Sequence, residues 1–325
     1  MSSPHIMLDV LLRLTLFLSA GFLLWLIFIT WMTIRWLTHP PRRTVAWSIS
    51  RSRPSTPAEL TPPLPFEEFF ITSKAHSIRC WHITGGTPSA STLVLTHGWG
   101  DSCLTMLERI EHLAPHFASI LVWDLPGHGD STGTCTLGTR EHTLLDNLID
   151  SLDIDSLSHD PARTVVLYGY SLGAGITLQA ADSWPSTLPP LRGIILEAPY
   201  RFPITPAAKV MHSIAAPWRL NLRLALMCIG IDLGYGPSFA RSPRFDRAAL
   251  AAKLATQPTP RTLILHGSLD TICPLQDSRD IAAALAVSTL AIIENATHTD
   301  LWSRPETRRQ AVDAIHTLLH DRSPT

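Results

Sequence analysis

Gly169-Tyr170-Ser171-Leu172-Gly173 spells G-x-S-x-G. An apolar, β-branched run (Thr164–Tyr168) leads into it, and a helix-like run (Leu172–Ala181) leaves it. The five-residue pattern is common by chance. The strand–turn–helix setting is not, because it is the setting of a nucleophile elbow. Such a turn is tight enough to demand neighbours without bulk, and Gly169, Gly173 and Gly175 meet that demand. The strained turn would lift the Ser171 hydroxyl above the strand ends. The helix start would add a positive dipole and the Leu172 amide beside a developing oxyanion. The competing reading is a serine N-cap on a helix of small residues.

A serine hydroxyl is a poor nucleophile at neutral pH without a base. The chain has 15 histidines, so position must choose among them. After an elbow of this kind the order along the chain is serine, acid, histidine. His298 follows the last apolar run, in a short polar loop, and is the candidate base. His266 precedes the acid and belongs to a strand end, whereas His316 and His320 fall in a terminal helical pattern. The base needs a carboxylate to fix its tautomer. Asp270 lies in the loop after the penultimate run, Leu265-His266-Gly267-Ser268-Leu269-Asp270. Glu197 is the alternative, at the end of the preceding run. Asp300 comes after the histidine and breaks the order.

Elements must bring these three residues together. Six short runs are apolar nearly throughout: Thr92–Thr96, Ile120–Trp123, Thr164–Tyr168, Gly193–Leu196, Thr262–Leu265 and Leu290–Ile293. Strands buried on both faces have this composition. Helical patterns alternate with them at Leu104–Ala114, Arg140–Leu157, Leu172–Ala181, Leu275–Ala286 and Glu306–His320. The alternation predicts an α/β fold with a parallel sheet covered on both faces. Residues 66–84 supply an opening antiparallel hairpin. About 60 residues separate Glu197 from Thr262, too many for a simple crossover. They contain the apolar stretch Pro206–Ile229, broken at Pro217. A helical cap at about 200–258, walling a pocket above the strand ends, is the expectation. An ordinary pair of packing helices is the alternative.

The N-terminus reads differently. Leu14–Ile34 holds no ionisable side chain over 21 residues. As a helix it spans roughly 30 Å, a bilayer's hydrocarbon thickness. Trp31 and Trp36 lie near one end, where indoles favour headgroups. Residues 1–37 are therefore read as a transmembrane anchor. A cleaved signal peptide would have a shorter apolar core and a small-residue cleavage site. A buried helix would show a polar face. Arg35, Arg42, Arg43, Arg51 and Arg53 follow the span, against Arg13 and Asp9 before it, so charge bias puts the large domain on the cytoplasmic side. The sequon Asn295-Ala296-Thr297 abuts His298, where a glycan would obstruct catalysis. Residues 38–65 carry seven prolines and several arginines and read as an extended linker, with 66–325 the catalytic domain. The arginines could also rest against anionic headgroups.

Composition excludes other chemistries. The chain is 45% hydrophobic and 16% charged, with formal net charge -1, so no overall field favours nucleic acid. Five widely spaced cysteines form neither a disulfide framework nor a zinc site. Gly-Tyr-Ser-Leu-Gly-Ala-Gly lacks the spacing of a dinucleotide-binding loop, and no Walker lysine follows it. No metal or cofactor is expected.

Four blocks in order resemble the α/β-hydrolase superfamily over about residues 66–322. They are Leu95-Thr96-His97-Gly98-Trp99-Gly100, Asp124-Leu125-Pro126-Gly127-His128-Gly129-Asp130-Ser131, the elbow, and His266–Asp270 with His298. The second and fourth look most like the monoacylglycerol-lipase and serine-aminopeptidase-like branch, and the anchor resembles that of the superfamily's membrane-tethered members. The resemblance implies that the Trp99 amide is the second oxyanion donor beside Leu172, and that His97 and His128 are structural. The expected function is hydrolysis of an acyl or lipid-like carboxylic ester through an acyl-enzyme on Ser171, His298 and Asp270. The rivals are an acyltransferase or thioesterase on the same triad, and a catalytically silent binding module at the membrane.

Overall fold

The computed structural model describes residues 4–73, 76–87, 91–152, 164–214, 216–231, 245–258 and 260–320. Two hairpin strands, β1 (Phe66–Ser73) and β2 (His76–Thr84), open the sheet. Six more follow: β3 (Ser91–Thr96), β4 (Ser119–Trp123), β5 (Thr164–Tyr170), β6 (Leu191–Glu197), β7 (Arg261–Gly267) and β8 (Ser288–Ile293). Their order is β1-β2-β4-β3-β5-β6-β7-β8, with β1/β2 and β2/β4 antiparallel and every later pairing parallel. Each apolar run of the sequence is a strand, one to three residues longer than its pattern. The polar ends extend because the backbone ladder continues past the buried side chains.

Helices cover both faces. One layer packs α3 (Cys103–Leu113) and α10 (Pro305–His320) against Trp81, Leu93, Leu95, Tyr168 and Leu265. The other packs α4 (His142–Leu152), α5 (Leu172–Asp182) and α9 (Leu275–Ala284) against Val94, Leu121, Leu167 and Ile264. Alternate residues of one strand serve opposite layers, as the pleat requires. Residues 153–157 of the expected helix after Arg140 lie outside the described residues.

Between β6 and β7 come α6 (Ile204–Ser213), α7 (Trp218–Ile229) and α8 (Arg247–Leu254). Pro217 divides α6 from α7, as the sequence break predicts. Residue 215 and residues 232–244 of this insertion lie outside the described residues.

The N-terminal helix α1 runs from Pro4 to Thr38, longer at its start than the un-ionised stretch. It is long and apolar enough to cross a membrane, and its apolar side chains from Ile6 to Phe28 are exposed except for the half-buried Leu26. Its last turns are different. Ile29, Thr30, Thr33 and Leu37 are buried, and α1 packs against α7. The Asn221 amide of α7 donates to the Ile29 carbonyl (2.8 Å) and to Thr33 Oγ1 (2.7 Å).

The segment after α1 departs from an extended tether. It holds a short helix, α2 (Val45–Ile49), and a 3-10 turn, Pro57–Glu59. Arg42 donates to the Gly129 carbonyl and Arg43 to the Gly100 carbonyl, each at 3.1 Å. The Cys135 amide donates to the Thr38 carbonyl (2.9 Å). Proline-rich sequence reads as solvated because it lacks periodicity. Here specific backbone acceptors on the domain hold it down instead.

Candidate active site

The candidate residues all sit at the carboxyl ends of parallel strands, where open α/β sheets bind ligands. β5 ends at Tyr170 and α5 begins at Leu172, leaving Ser171 alone in the turn. Ser171 has φ 53° and ψ −109°, outside the regions L-residues normally occupy. Strain of this kind persists only where surroundings over-determine it. A Cβ on Gly169 would stand 2.3 Å from the Gly173 carbonyl oxygen, and one on Gly173 would stand 2.2 Å from that of Thr96. The elbow therefore closes only with hydrogen at both positions. The Ser171 amide donates to the Glu197 carbonyl (2.9 Å), tying the turn to β6.

His298 lies in the loop between β8 and α10, and Asp270 in the loop between β7 and α9. Ser171 Oγ donates to His298 Nε2 at 3.1 Å, and His298 Nδ1 donates to Asp270 Oδ2 at 2.7 Å. The other Asp270 oxygen accepts from the Ile272 and Cys273 amides, both at 2.8 Å. Burial alone would raise the Asp270 pKa. The hydrogen bond from His298, its charge and the Cys273 amide outweigh burial, so the carboxylate lies below its ordinary value. Tyr170 donates from its hydroxyl to the His298 carbonyl (2.9 Å), and its ring lies 5.3 Å from the imidazole.

The other candidate acids are engaged elsewhere. Glu197 forms a buried bidentate pair with Arg109 (2.7 and 2.6 Å) and accepts from Tyr168 and Trp302. Asp300 accepts from the Thr297 amide (2.6 Å) and pairs with Arg304 (3.1 Å). His266, fully buried, bonds to Ser278 Oγ and the Cys273 carbonyl, with Nε2 3.6 Å from Asp270.

Trp99 and Leu172 line the same cavity as Ser171 and His298. Neither amide donates a backbone hydrogen bond among the described residues. The resemblance would have both donate to an oxyanion there. His97 and His128 stack edge to face behind the Trp99 loop, 4.9 Å apart. His97 accepts from the Leu125 amide at Nε2 (2.9 Å) and donates to the Gly98 carbonyl at Nδ1 (2.7 Å). Burial holds His97 well below its ordinary pKa and His128 down to about 4. His97 is a neutral brace between the Trp99 and Asp124 loops, and neutral His128, bonded to the Pro126 carbonyl of its own loop (3.1 Å), packs on His97.

The cavity holds about 290 Å³ and is walled mainly by apolar groups. Pro206, Ala207 and Val210 of α6 form one side. Trp36 and Leu37 form another, from the last turn of α1. The Trp99 indole donates to the Leu37 carbonyl (2.9 Å) and packs on Trp36, ring centroids 4.6 Å apart. Sequence reasoning missed the role of these two residues in the cavity, because Trp36, just past Arg35, reads as an indole at headgroup level. It also missed Tyr170, an unspecified position of the elbow motif, and Asp101, which lines the cavity. Burial pushes the Asp101 carboxyl up, against Arg109, Arg43 and His298.

Asp270, Cys273 and His298 present oxygen, sulfur and nitrogen within 4.8 Å of one another. Two of these groups are already hydrogen-bonded together. Burial and the Asp270 charge drive the Cys273 thiol well above its ordinary range. Cys80, Cys103, Cys135 and Cys273 are buried free thiols, and Cys228 is exposed.

Comparison with known proteins bears on the family and the fold. The sequence pattern of the Alpha/beta hydrolase family matches residues 93–311. A pimeloyl-[acyl-carrier protein] methyl ester esterase of Pectobacterium carotovorum is 30% identical over 221 residues, 62% of this chain and 73% of its own. A protein phosphatase methylesterase 1 of Candida albicans is 27% identical over 130 residues, 40% of this chain and 34% of its own. The chain thus spans about a third of that relative's length. Among solved structures, an esterase of Pyrococcus furiosus superposes with TM-score 0.63 at 16% identity, covering 87% of this chain and 98% of that one. At that identity the likeness is one of fold: the α/β-hydrolase fold.

Proposed function

The chain belongs to the Alpha/beta hydrolase family, and from that premise we propose that it is a membrane-anchored serine hydrolase of carboxylic esters. One observation carries the proposal: the unbroken line of hydrogen bonds from Asp270 through His298 to Ser171, opening into an apolar cavity. His298 takes the Ser171 proton as Oγ attacks the ester carbonyl carbon. The Leu172 and Trp99 amides hold the oxyanion. Collapse breaks the bond to the alcohol, which leaves with the proton from His298 as the acyl group stays on Ser171. Water, deprotonated by His298, then releases the acid and restores the serine. Asp270 keeps Nδ1 protonated and stabilises the imidazolium throughout.

Ester rather than amide chemistry is favoured by the curated relatives, since both of those described above carry names of methyl ester esterases. The apolar walls favour an acyl or lipid-like ester. The likeness of the Asp124–Ser131 loop to the monoacylglycerol-lipase and serine-aminopeptidase-like branch is the finer part of the proposal. So are the single-pass anchor in α1 and a catalytic domain on the cytoplasmic side, where the arginines after the span put it. Ser171→Ala is expected to abolish labelling by a fluorophosphonate probe, with ester turnover falling by roughly 10⁴-fold or more. Persistent labelling in that variant would overturn the assignment.

A further inference from the structure

The two hydrogen bonds from Asn221 fix α7 at the level of Ile29–Thr33 of α1. Those residues belong to the stretch without an ionisable side chain, which ends at Ile34. At 1.5 Å per residue the contact lies up to roughly 8 Å inside that end. Whatever surrounds α1 at this depth therefore also meets the outer face of α7. That face is amphipathic. Leu220, Leu224 and Met227, at i, i+4 and i+7, are 58%, 45% and 49% exposed. Arg219 and Arg223 run beside them, on stems long enough to carry their charge towards headgroups. An apolar stripe flanked by arginines is the composition of a helix lying in a membrane interface, where such helices sink about 5–10 Å.

The inner side of the same assembly is the cavity. α6, which packs on α7, contributes Pro206, Ala207 and Val210, and the end of α1 contributes Trp36 and Leu37. We propose that the Leu220–Leu224–Met227 face of α7 is seated in the leaflet in which α1 ends, so that the cavity opens at the bilayer surface and draws its ester from it. The inference rests on the anchor reading of α1 and adds an interaction surface to it. The occupant is the acyl region of a lipid leaflet. A second copy of this chain, or another protein, would instead exclude lipid from the stripe.

The test uses the full chain in phosphatidylcholine vesicles. A spin label is placed at Leu224→Cys in a Cys228→Ser background. The expected result is a label accessible to oxygen but shielded from a water-soluble nickel chelate. A label open to the chelate overturns the inference, and so does one shielded from both reagents. Alkaline carbonate extraction is run in parallel. Release of the wild-type chain overturns the anchor reading and the inference with it, whereas retention with a chelate-accessible label overturns the inference alone. A Leu220→Ser/Leu224→Ser/Met227→Ser variant gives the functional readout. Hydrolysis of vesicle-borne p-nitrophenyl palmitate should fall about tenfold or more, since three apolar anchors are lost. Hydrolysis of dissolved p-nitrophenyl butyrate, which also reports folding, should stay within about twofold. Equal rates on the vesicle ester for variant and wild type would overturn the inference.

Discussion

Asp270 and Glu197 are both buried carboxylates at strand ends, and their partners separate their roles. Asp270 faces His298, so Asp270→Asn should cut ester turnover by roughly 10³–10⁴-fold through the wrong imidazole tautomer, with the circular dichroism spectrum unchanged. Glu197 faces Arg109, and Glu197→Gln leaves a buried cation poorly paired. Denaturant melts of that variant should show a loss of about 3–5 kcal/mol, with turnover per folded molecule nearly retained. The neutral histidines His97 and His128 set a pH dependence. Both have folded pKa values below their ordinary 6.5, and His128 lies at about 4. Between those values the unfolded chain binds more protons than the folded one. Stability must therefore fall as pH drops through that window, by up to about 1.4 kcal/mol per unit for each histidine. Asp270 acts in the same direction at lower pH, since its lowered pKa supplies stability that is full above the ordinary carboxylate value and is lost as pH falls through its folded value. Thermal melts from pH 7.5 to 4.5 should show the decline, and His128→Asn should flatten it by roughly half. Ser171, Asp270 and His298 could be read in the sequence because chain order restricts them. Tyr170 could not, since its bond to the His298 carbonyl depends on how a distant loop folds back.

At the scale of elements, the strands of the parallel sheet were the most legible, because burial on both faces leaves an uninterrupted apolar run. The hairpin β1–β2 was legible from its partial alternation. The last turn of α1 was not: Arg35 and Trp36 mark where the apolar span ends, but not that Trp36 and Leu37 turn into a cavity of the domain. Their position predicts a division of labour within one helix. Trp36→Ala should raise KM for long-chain esters about tenfold, by removing a wall of the cavity, and leave acetate esters nearly unaffected. Kinetics across an acyl-length series would check this, and equal effects at every length would contradict it. Residues 38–65 illustrate the same limit. Their prolines and arginines say that no helix or strand persists, but not that Arg42 and Arg43 find the carbonyls of Gly129 and Gly100.

For the whole molecule, α1 and the α/β domain are joined at several points. Thr38 and Leu37 accept hydrogen bonds from Cys135 and Trp99, and α7 grips α1 through Asn221. A chain cut after residue 38 would lose those acceptors together with part of its cavity. Removing the helix for convenience of expression should lower turnover as well as membrane affinity.

The bond from the Trp99 indole to the Leu37 carbonyl reaches further still. A spanning helix tilts to match the thickness of the bilayer around it. Here the end of that helix grips the side chain of the residue whose own amide, in the proposed mechanism, would hold the oxyanion. Thinning or thickening the bilayer would lean on Trp99 and so on the barrier itself. In vesicles of graded acyl length, the rate towards a dissolved short-chain ester should pass through an optimum. The enzyme would then respond to the mechanical state of its membrane as well as to its substrate.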